Sequence, residues 1–241
     1  VDRILKKLII PFRILKSLLK VRILFKEFKP TLIIGTGGYA SALPLFMATM
    51  QKKSIPIVLQ EQNSFPGITT RWFSRKANLI CAAFKTDNLK LDNKLVITGN
   101  PIRSNIVSGD RELALRDYDM DIQKNTLFVF GGSQGSAVLN KSLEYIIKKI
   151  DAQSTQILWQ TGDYDYNKYK KYKNDAIKIV PFINDMAAAY ALSDLVVCRS
   201  GALTLSEVTI CGKHSILIPF ASAAGIHQLK NAETLFQAGA S

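Results

Sequence analysis

Along the chain, short runs that are apolar almost throughout alternate with longer stretches whose apolar residues recur every three or four positions. The runs cover residues 31–34, 56–59, 79–83, 95–98, 126–130, 156–159, 177–180, 195–198 and 215–218. Helix-period stretches lie between several of them, including 137–150, 186–192, 203–211 and 228–238. Strands with no polar face, joined by helices, need cover on both sides, and this predicts parallel sheets. The expected class is therefore α/β, with two Rossmann-like, doubly wound parallel-sheet units. Pro101, Gly109 and a charge-rich run through Asp121 read as a connection. The expected division is a first unit over 1–105, a connection over 106–122 and a second unit over 123–241.

The unusual loops all fall on one edge of these expected sheets. Gly35-Thr36-Gly37-Gly38-Tyr39, Gln60-Glu61-Gln62-Asn63 and Gly99-Asn100-Pro101-Ile102-Arg103 each follow a strand directly. So do Gly131-Gly132-Ser133-Gln134-Gly135, Pro181-Phe182-Ile183-Asn184-Asp185 and Arg199-Ser200-Gly201. Open parallel sheets bind ligands outside the carboxyl ends of their strands. Two such edges facing each other would form a cleft.

The run from Arg199 to Glu207 carries the sharpest chemistry. A strand ends at Cys198 and small residues then open a helix, with Ser200 in position to cap it. A helix start offers unpaired N–H groups and a positive dipole end, which suit a diphosphate. Gly201 and Ala202 allow close approach, and Glu207, one to two turns further in, can accept from both hydroxyls of a ribose. An ordinary capped helix with a structural Glu is the competing reading. The 131–135 loop is neither a dinucleotide fingerprint nor a P-loop, because no Lys-Ser/Thr follows, and it reads as a close-approach turn. Glu61-Gln62-Asn63 puts polar side chains at a strand end, where amides suit sugar hydroxyls and local turn bonding is the alternative. His227-Gln228 and Asn231 share one helix face and suit a hexose, unless that face is simply solvated.

Charge changes the picture at the N-terminus. Of the net +13, residues 1–30 supply nine Lys/Arg against two acids. Leu8, Phe12, Leu15 and Leu18 recur at helical spacing among cations that include Arg13 and Lys16, an arrangement suited to an anionic membrane surface. Ile10, Ile14, Val21 and Leu24 are expected as core, and Pro11 as a helix start or kink. No apolar run is long enough to span a bilayer. Nucleic acid is not an expected partner, since there is neither zinc-finger spacing nor an RNP-like aromatic strand. Three widely spaced cysteines read as reduced thiols, and no metal or cofactor is expected. Asp117-Tyr118-Asp119-Met120-Asp121 and Asp163-Tyr164-Asp165 have a spacing that can hold a metal diphosphate, but both read as solvated loop acids.

Together, the six strand-end loops and the His227-Gln228…Asn231 set resemble the MurG family of peptidoglycan N-acetylglucosaminyltransferases, over nearly the whole chain. The resemblance implies the GT-B fold and transfer of N-acetylglucosamine from UDP-N-acetylglucosamine to the muramyl C4 hydroxyl of lipid I, without a metal. It implies a peripheral location at the cytoplasmic face of the bacterial plasma membrane, docked by the basic apolar helix. It places the uracil near the backbone of Ile183, with Arg103 reaching the nucleotide. Ser133 and the backbone of Ala202, Leu203 and Thr204, continuing through Leu205 and Ser206, would hold the diphosphate. Glu207 would take the ribose, Gln228 and Asn231 the sugar, and Asn63 would contribute from the first unit.

Gln60 stands where the family usually has His. The chain opens at Val1 inside a helical pattern and stops at Ser241, so it is expected to lack the family's first Gly-rich loop, its catalytic His and its last helices. No general base is assigned, and little activity is expected of the chain alone. Another GT-B enzyme, such as a glycolipid glycosyltransferase or a UDP-N-acetylglucosamine 2-epimerase, and a non-catalytic nucleotide-sugar or membrane-binding module are the alternatives.

Overall fold

The computed structural model describes residues 2–51, 54–85, 94–220 and 226–240, with side chains from residue 10 onward. The chain divides into two compact units, Val1–Gly99 and Asn100–Ser241. The first contains α1 (Asp2–Phe28), β1 (Ile33–Gly35), α2 (Gly38–Thr49), β2 (Ile57–Glu61), α3 (Ile68–Phe73), β3 (Leu79–Ala82) and β4 (Leu95–Ile97). Its strands are parallel in the order β1-β2-β3-β4. Leu45 and Ala48 of α2 pack with Ile57, Leu59, Phe73 and Ile80 to form its core.

Helix α1 behaves differently from the sequence expectation. Among the described side chains of α1, only Leu18, Val21 and Phe25, a line at helical spacing, are half-buried. Ile10, Ile14 and Leu24, expected as core, are exposed by 51–59%. Leu18, expected on the outer stripe, is one of the three turned inward. Helix α1 has 27 residues and leans on α2, which has 12. At about 1.5 Å per residue, α1 is more than twice as long as its support. The helix also runs through Pro11 without ending.

The second unit begins with α4 (Arg111–Asp117) and continues as β5 (Asn125–Phe130), α5 (Ala137–Ile146), β6 (Thr155–Gln160), α6 (Asp163–Tyr169) and β7 (Ile177–Val180). It ends with α7 (Met186–Leu192), β8 (Leu195–Cys198), α8 (Ala202–Ile210), β9 (His214–Leu217) and α9 (Ile226–Gln237). The five strands are parallel in the order β7-β6-β5-β8-β9. The pleat sends Phe128 and Phe130 to one face, with Leu158, Tyr190, Val196 and Cys198. Val129, Ile157, Trp159 and Ile179 go to the other, with Leu143 and Tyr169. Both faces are filled, as strands lacking a polar side require.

Residues 106–122, read from sequence as a connection, belong to this second unit. Helix α4 packs on α7. Arg111 Nη1 donates to the Leu192 carbonyl at 2.7 Å, and its Nη2 reaches Asp194 Oδ2 at 3.2 Å. That same carboxylate oxygen accepts the N–H of Thr126 at 2.7 Å. The charged run looked like a linker because Arg111 bonds to backbone at the end of α7 and to Asp194 beyond it, an arrangement that periodicity does not reveal.

Candidate functional site

The strand order reverses between β5 and β8, the two inner neighbours that lead off in opposite directions. Such a switch point opens a crevice between the loops that follow the two strands. Here those loops are 131–136, leading into α5, and 199–201, leading into α8. The described strands of the first sheet follow one another in chain order, so among the described residues the reversal lies in the second unit.

Ser136 caps α5, its Oγ accepting from Leu139 N at 3.4 Å. The glycines before it have distinct roles. Gly132 adopts φ 86° in open space, whereas Gly135, at φ 73°, lies so close to Thr161 that an added Cβ would sit 2.0 Å from its carbonyl oxygen. The loop after β5 therefore rests directly on the loop after β6. Ser133 is exposed on the rim of this turn.

Arg199 connects the parts. It is 9% exposed; its Nη1 donates to the Ile218 and Pro219 carbonyls at 3.1 and 2.9 Å, and its Nη2 to Ser136 Oγ at 2.7 Å. Its guanidinium also stands over the Phe220 ring at 5.5 Å. Burial holds its pKa below the usual arginine range. The side chain thus braces the β8, β9 and α5 loops beneath the crevice and is not itself free to grip a ligand.

Ser200 was expected to cap α8, but Gly201 occupies the N-cap and no side chain closes the turn. Ser200 is fully buried and its Oγ donates to the Gln228 carbonyl at 2.8 Å. The uncapped start leaves the first N–H groups of α8, at Ala202, Leu203 and Thr204, without intrahelical partners. The position matches the expectation, although the capping reading fails. Leu205 is fully buried and its N–H bonds to Gly201 O within the helix. Ser206 Oγ lies 3.0 Å from Asn100 Nδ2, which also donates to Ala202 O. The Leu205 N–H and the Ser206 hydroxyl are therefore engaged within the protein.

Glu207 has partners on two sides. Its Oε2 accepts from the Tyr190 hydroxyl at 3.1 Å, and its Oε1 lies 3.5 Å from Arg103 Nη2. On the base side, the Gln160 amide ties two loops together: its Nε2 donates to Gly132 O at 2.8 Å, and its Oε1 accepts the N–H of Ile183 at 3.2 Å. The Ile183 side chain is buried, and its N–H, expected to read a base, is turned to Gln160. That donor bonds inside the protein, a change from the sequence expectation.

At the start of α9, Gln228 is half-buried and its Oε1 accepts from Phe220 N at 3.0 Å. Asn231 is fully buried, its Nδ2 donating to Ser200 O at 3.3 Å. The expectation that Asn231 shares an open polar face with Gln228 is corrected, because the turn of α9 that carries it packs on the β8 loop. In the first unit, Glu61 is likewise buried. Its Oε1 accepts from Asn63 N and Nδ2 at 3.1 and 3.3 Å, and its Oε2 accepts from Gly67 N at 3.0 Å. This carboxylate shapes the 61–67 loop and leaves Asn63 half-buried beside it.

Asp163 and Asp165, read as loop acids, lie in the first turn of α6, where Asp165 accepts from Asn140 Nδ2 at 2.8 Å. Asp119 pairs with Lys178 at 2.8 Å, which depresses its carboxyl pKa. Among the described residues no cluster of three His, Cys, Asp or Glu is placed to hold a metal. No described helix is long and apolar enough to cross a membrane. Phe12 and Leu15 are 74% and 54% exposed, and Arg13 and Lys16 are exposed beside them; the side chain of Leu8 lies outside the described residues. The sequence reading missed Tyr190, Gln160 and the exposed pair Ile68 and Trp72, four residues apart on α3. For Tyr190 and Gln160 an apolar helix and a strand end gave no polar signal. For Trp72 the short helix went unread.

The comparisons with known proteins bear on the family and the fold. The glycosyltransferase family 28 N-terminal domain matches residues 2–81, and the family's C-terminal domain matches residues 126–241. A Christiangramia forsetii protein is 40% identical over 231 residues, covering 95% of this chain and 63% of its own length. A Finegoldia magna protein is 42% identical over 226 residues, covering 90% of this chain and 60% of its own length. Both carry the name UDP-N-acetylglucosamine–N-acetylmuramyl-(pentapeptide) pyrophosphoryl-undecaprenol N-acetylglucosamine transferase. The crystal structure of Acinetobacter baumannii MurG is similar with a TM-score of 0.72 at 29% identity, over 95% of this chain and 64% of that one. A Neisseria meningitidis UDP-GlcNAc 2-epimerase matches with a TM-score of 0.58 at 13% identity, a likeness of fold alone. The chain therefore spans about 63% of the length of the first of these relatives.

Proposed function

The chain belongs to glycosyltransferase family 28, and on that premise we propose that it serves the transfer of N-acetylglucosamine from UDP-N-acetylglucosamine to the muramyl C4 hydroxyl of lipid I. The second unit is the donor grip. The observation that carries this reading is the uncapped start of α8 at the switch point, with the Glu207 carboxylate on the same helix. The diphosphate lies against the N–H groups of Ala202, Leu203 and Thr204 and against Ser133 on the opposite rim. The ribose hydroxyls donate to Glu207, with Arg103 displaced toward the nucleotide. The uracil sits by the Ile183 backbone, and Gln228 faces the sugar.

In this arrangement the acceptor hydroxyl gives up its proton to a base, and its oxygen attacks the anomeric carbon from the face opposite the diphosphate. The C–O bond to UDP breaks as the new glycosidic bond forms, which inverts the configuration. Negative charge grows on the departing phosphate, and the helix start supplies fixed positive partial charge where it grows. Titration calorimetry with UDP-N-acetylglucosamine against other UDP- and TDP-sugars tests the donor. Tighter binding of another sugar would overturn it. Glu207→Ala is expected to weaken UDP binding about 10- to 100-fold, the value of hydrogen bonds to a charged acceptor. An unchanged affinity would remove Glu207 from the site.

We further propose that α1 docks the protein, as a peripheral protein, on the cytoplasmic face of the membrane. Apolar side chains exposed beside Arg13 and Lys16 support the reading, and Trp72 on α3 is a further exposed apolar side chain of the same unit. Flotation with vesicles containing phosphatidylglycerol measures it. Replacing Phe12 and Leu15 together by Asp is expected to reduce binding about tenfold or more. Added salt is expected to weaken the unmodified protein's binding as the lysines and arginines are screened. Binding indifferent to both changes would count against a membrane role for α1.

A further inference from the structure

We infer that Tyr190 is the positioning residue of Glu207, aiming its carboxylate so that the site prefers ribose to 2′-deoxyribose. The inference rests on the proposed reading that Glu207 receives the ribose hydroxyls.

The two partners of Glu207 are unequal. Arg103 approaches Oε1 from a side chain that is 55% exposed, at 3.5 Å. Tyr190 approaches Oε2 from the core and is 1% exposed. Its ring meets Phe128 and Phe130 edge-on, with centroids 5.9 and 6.2 Å away. Those two phenylalanines stack on each other at 4.6 Å within β5. A phenol fixed in this way has one place to put its hydroxyl. Burial and the neighbouring carboxylate push its pKa up, so it remains a donor at any working pH.

A glutamate side chain turns freely about its terminal bonds, yet a carboxylate that takes two adjacent hydroxyls must present its plane to both. Each carboxylate oxygen has about two acceptor sites. Oε2 can therefore accept from Tyr190 and from one ribose hydroxyl at once, while Oε1 exchanges Arg103 for the other. Tyr190 stays and Arg103 leaves. The core behind β5 thus orients a group at the surface of the crevice. A ligand lacking the 2′-hydroxyl leaves one of these aimed acceptor sites empty, and that loss is the source of the preference.

The test is titration calorimetry of the whole chain with UDP and with 2′-deoxy-UDP. Tyr190→Phe is expected to narrow the preference for UDP about three- to tenfold, the scale of one hydrogen bond, with 2′-deoxy-UDP bound about as before. In a Glu207→Ala background the same change should leave the ratio where it is. A wild-type ratio in Tyr190→Phe, or equal weakening of both nucleotides, would overturn the inference. So would failure of that variant to fold, because a hydroxyl that only aims Glu207 can be removed without disturbing packing. If Glu207→Ala keeps the full preference, the ribose reading itself is wrong. If Glu207→Ala abolishes the preference and Tyr190→Phe does not, only the role of Tyr190 falls.

Discussion

Arg199→Met is expected to lower stability by about 3 kcal/mol, the combined scale of losing charge-assisted bonds and leaving buried acceptors unsatisfied. Methionine fills much of the volume but donates nothing to the Ile218 and Pro219 carbonyls or to Ser136 Oγ. In a chain of this size the loss corresponds to a fall of about 6–12 °C in melting temperature. It also separates the starts of α5 and α8, the two sides of the proposed diphosphate seat. UDP affinity is expected to fall about tenfold or more at temperatures where the variant is still folded. Thermal denaturation and titration on the same preparation measure both effects. If stability fell and UDP binding did not, Arg199 would support the sheet without organising the crevice.

Gly135→Ala is expected to cost about 2–5 kcal/mol, combining a left-handed backbone with an overpacked contact. The new methyl would meet the Thr161 carbonyl oxygen at 2.0 Å and its carbon at 2.7 Å, and neither backbone atom can turn aside. Gly132→Ala serves as the internal comparison. Its φ of 86° is equally unfavourable, but nothing lies within 4 Å, so only the conformational cost of about 1–2 kcal/mol applies. Urea unfolding of the two variants isolates the packing between the loops after β5 and β6. Equal costs would show that the loops are less closely held than the geometry indicates.

The α/β class, the parallel sheets and most strands follow from the alternation of apolar runs and helical periods. The strands over Ile177–Val180 and Leu195–Cys198 and the helix over Met186–Leu192 match their expected limits, and the others, α5 apart, move by one or two residues. Helix α5 stops four residues before its expected end at position 150. The family resemblance, the glycosyltransferase class and the placement of 199–207 at a helix start were all legible, because six such loops in this order are far more specific than any one of them.

Side-chain direction was much less legible. Arg199, Ser200, Ser206 and Asn231 belong to the segments a nucleotide-sugar site would use, yet each bonds to the protein itself. Sequence spacing places a residue on an element, whereas burial decides whether its polar atoms face a ligand or a neighbouring loop. Ser200 and Asn231 show the difference: one hydroxyl and one amide join α9 to β8 across about thirty residues of chain. The reading of α1 holds for Phe12, Leu15 and Val21 and fails for Ile10, Ile14, Leu18 and Leu24 for a related reason. Periodicity reports which side chains align but not the length of the surface beneath them. The eleven residues from Arg111 to Asp121 show a third limit, since their charges bond to the backbone that ends α7 and to Lys178.

Cys198 provides a chemical clock for this region. It ends β8 directly below the Arg199 turn and is fully buried, and burial pushes its thiol up to about 12. A thiolate is the species that alkylating reagents attack, so the folded site leaves this sulfur inert while solvent-reached cysteines are modified. Labelling at position 198 therefore proceeds only as fast as the sheet opens around it. Its rate, followed by mass spectrometry with and without UDP, would report how strongly nucleotide binding locks the switch point shut.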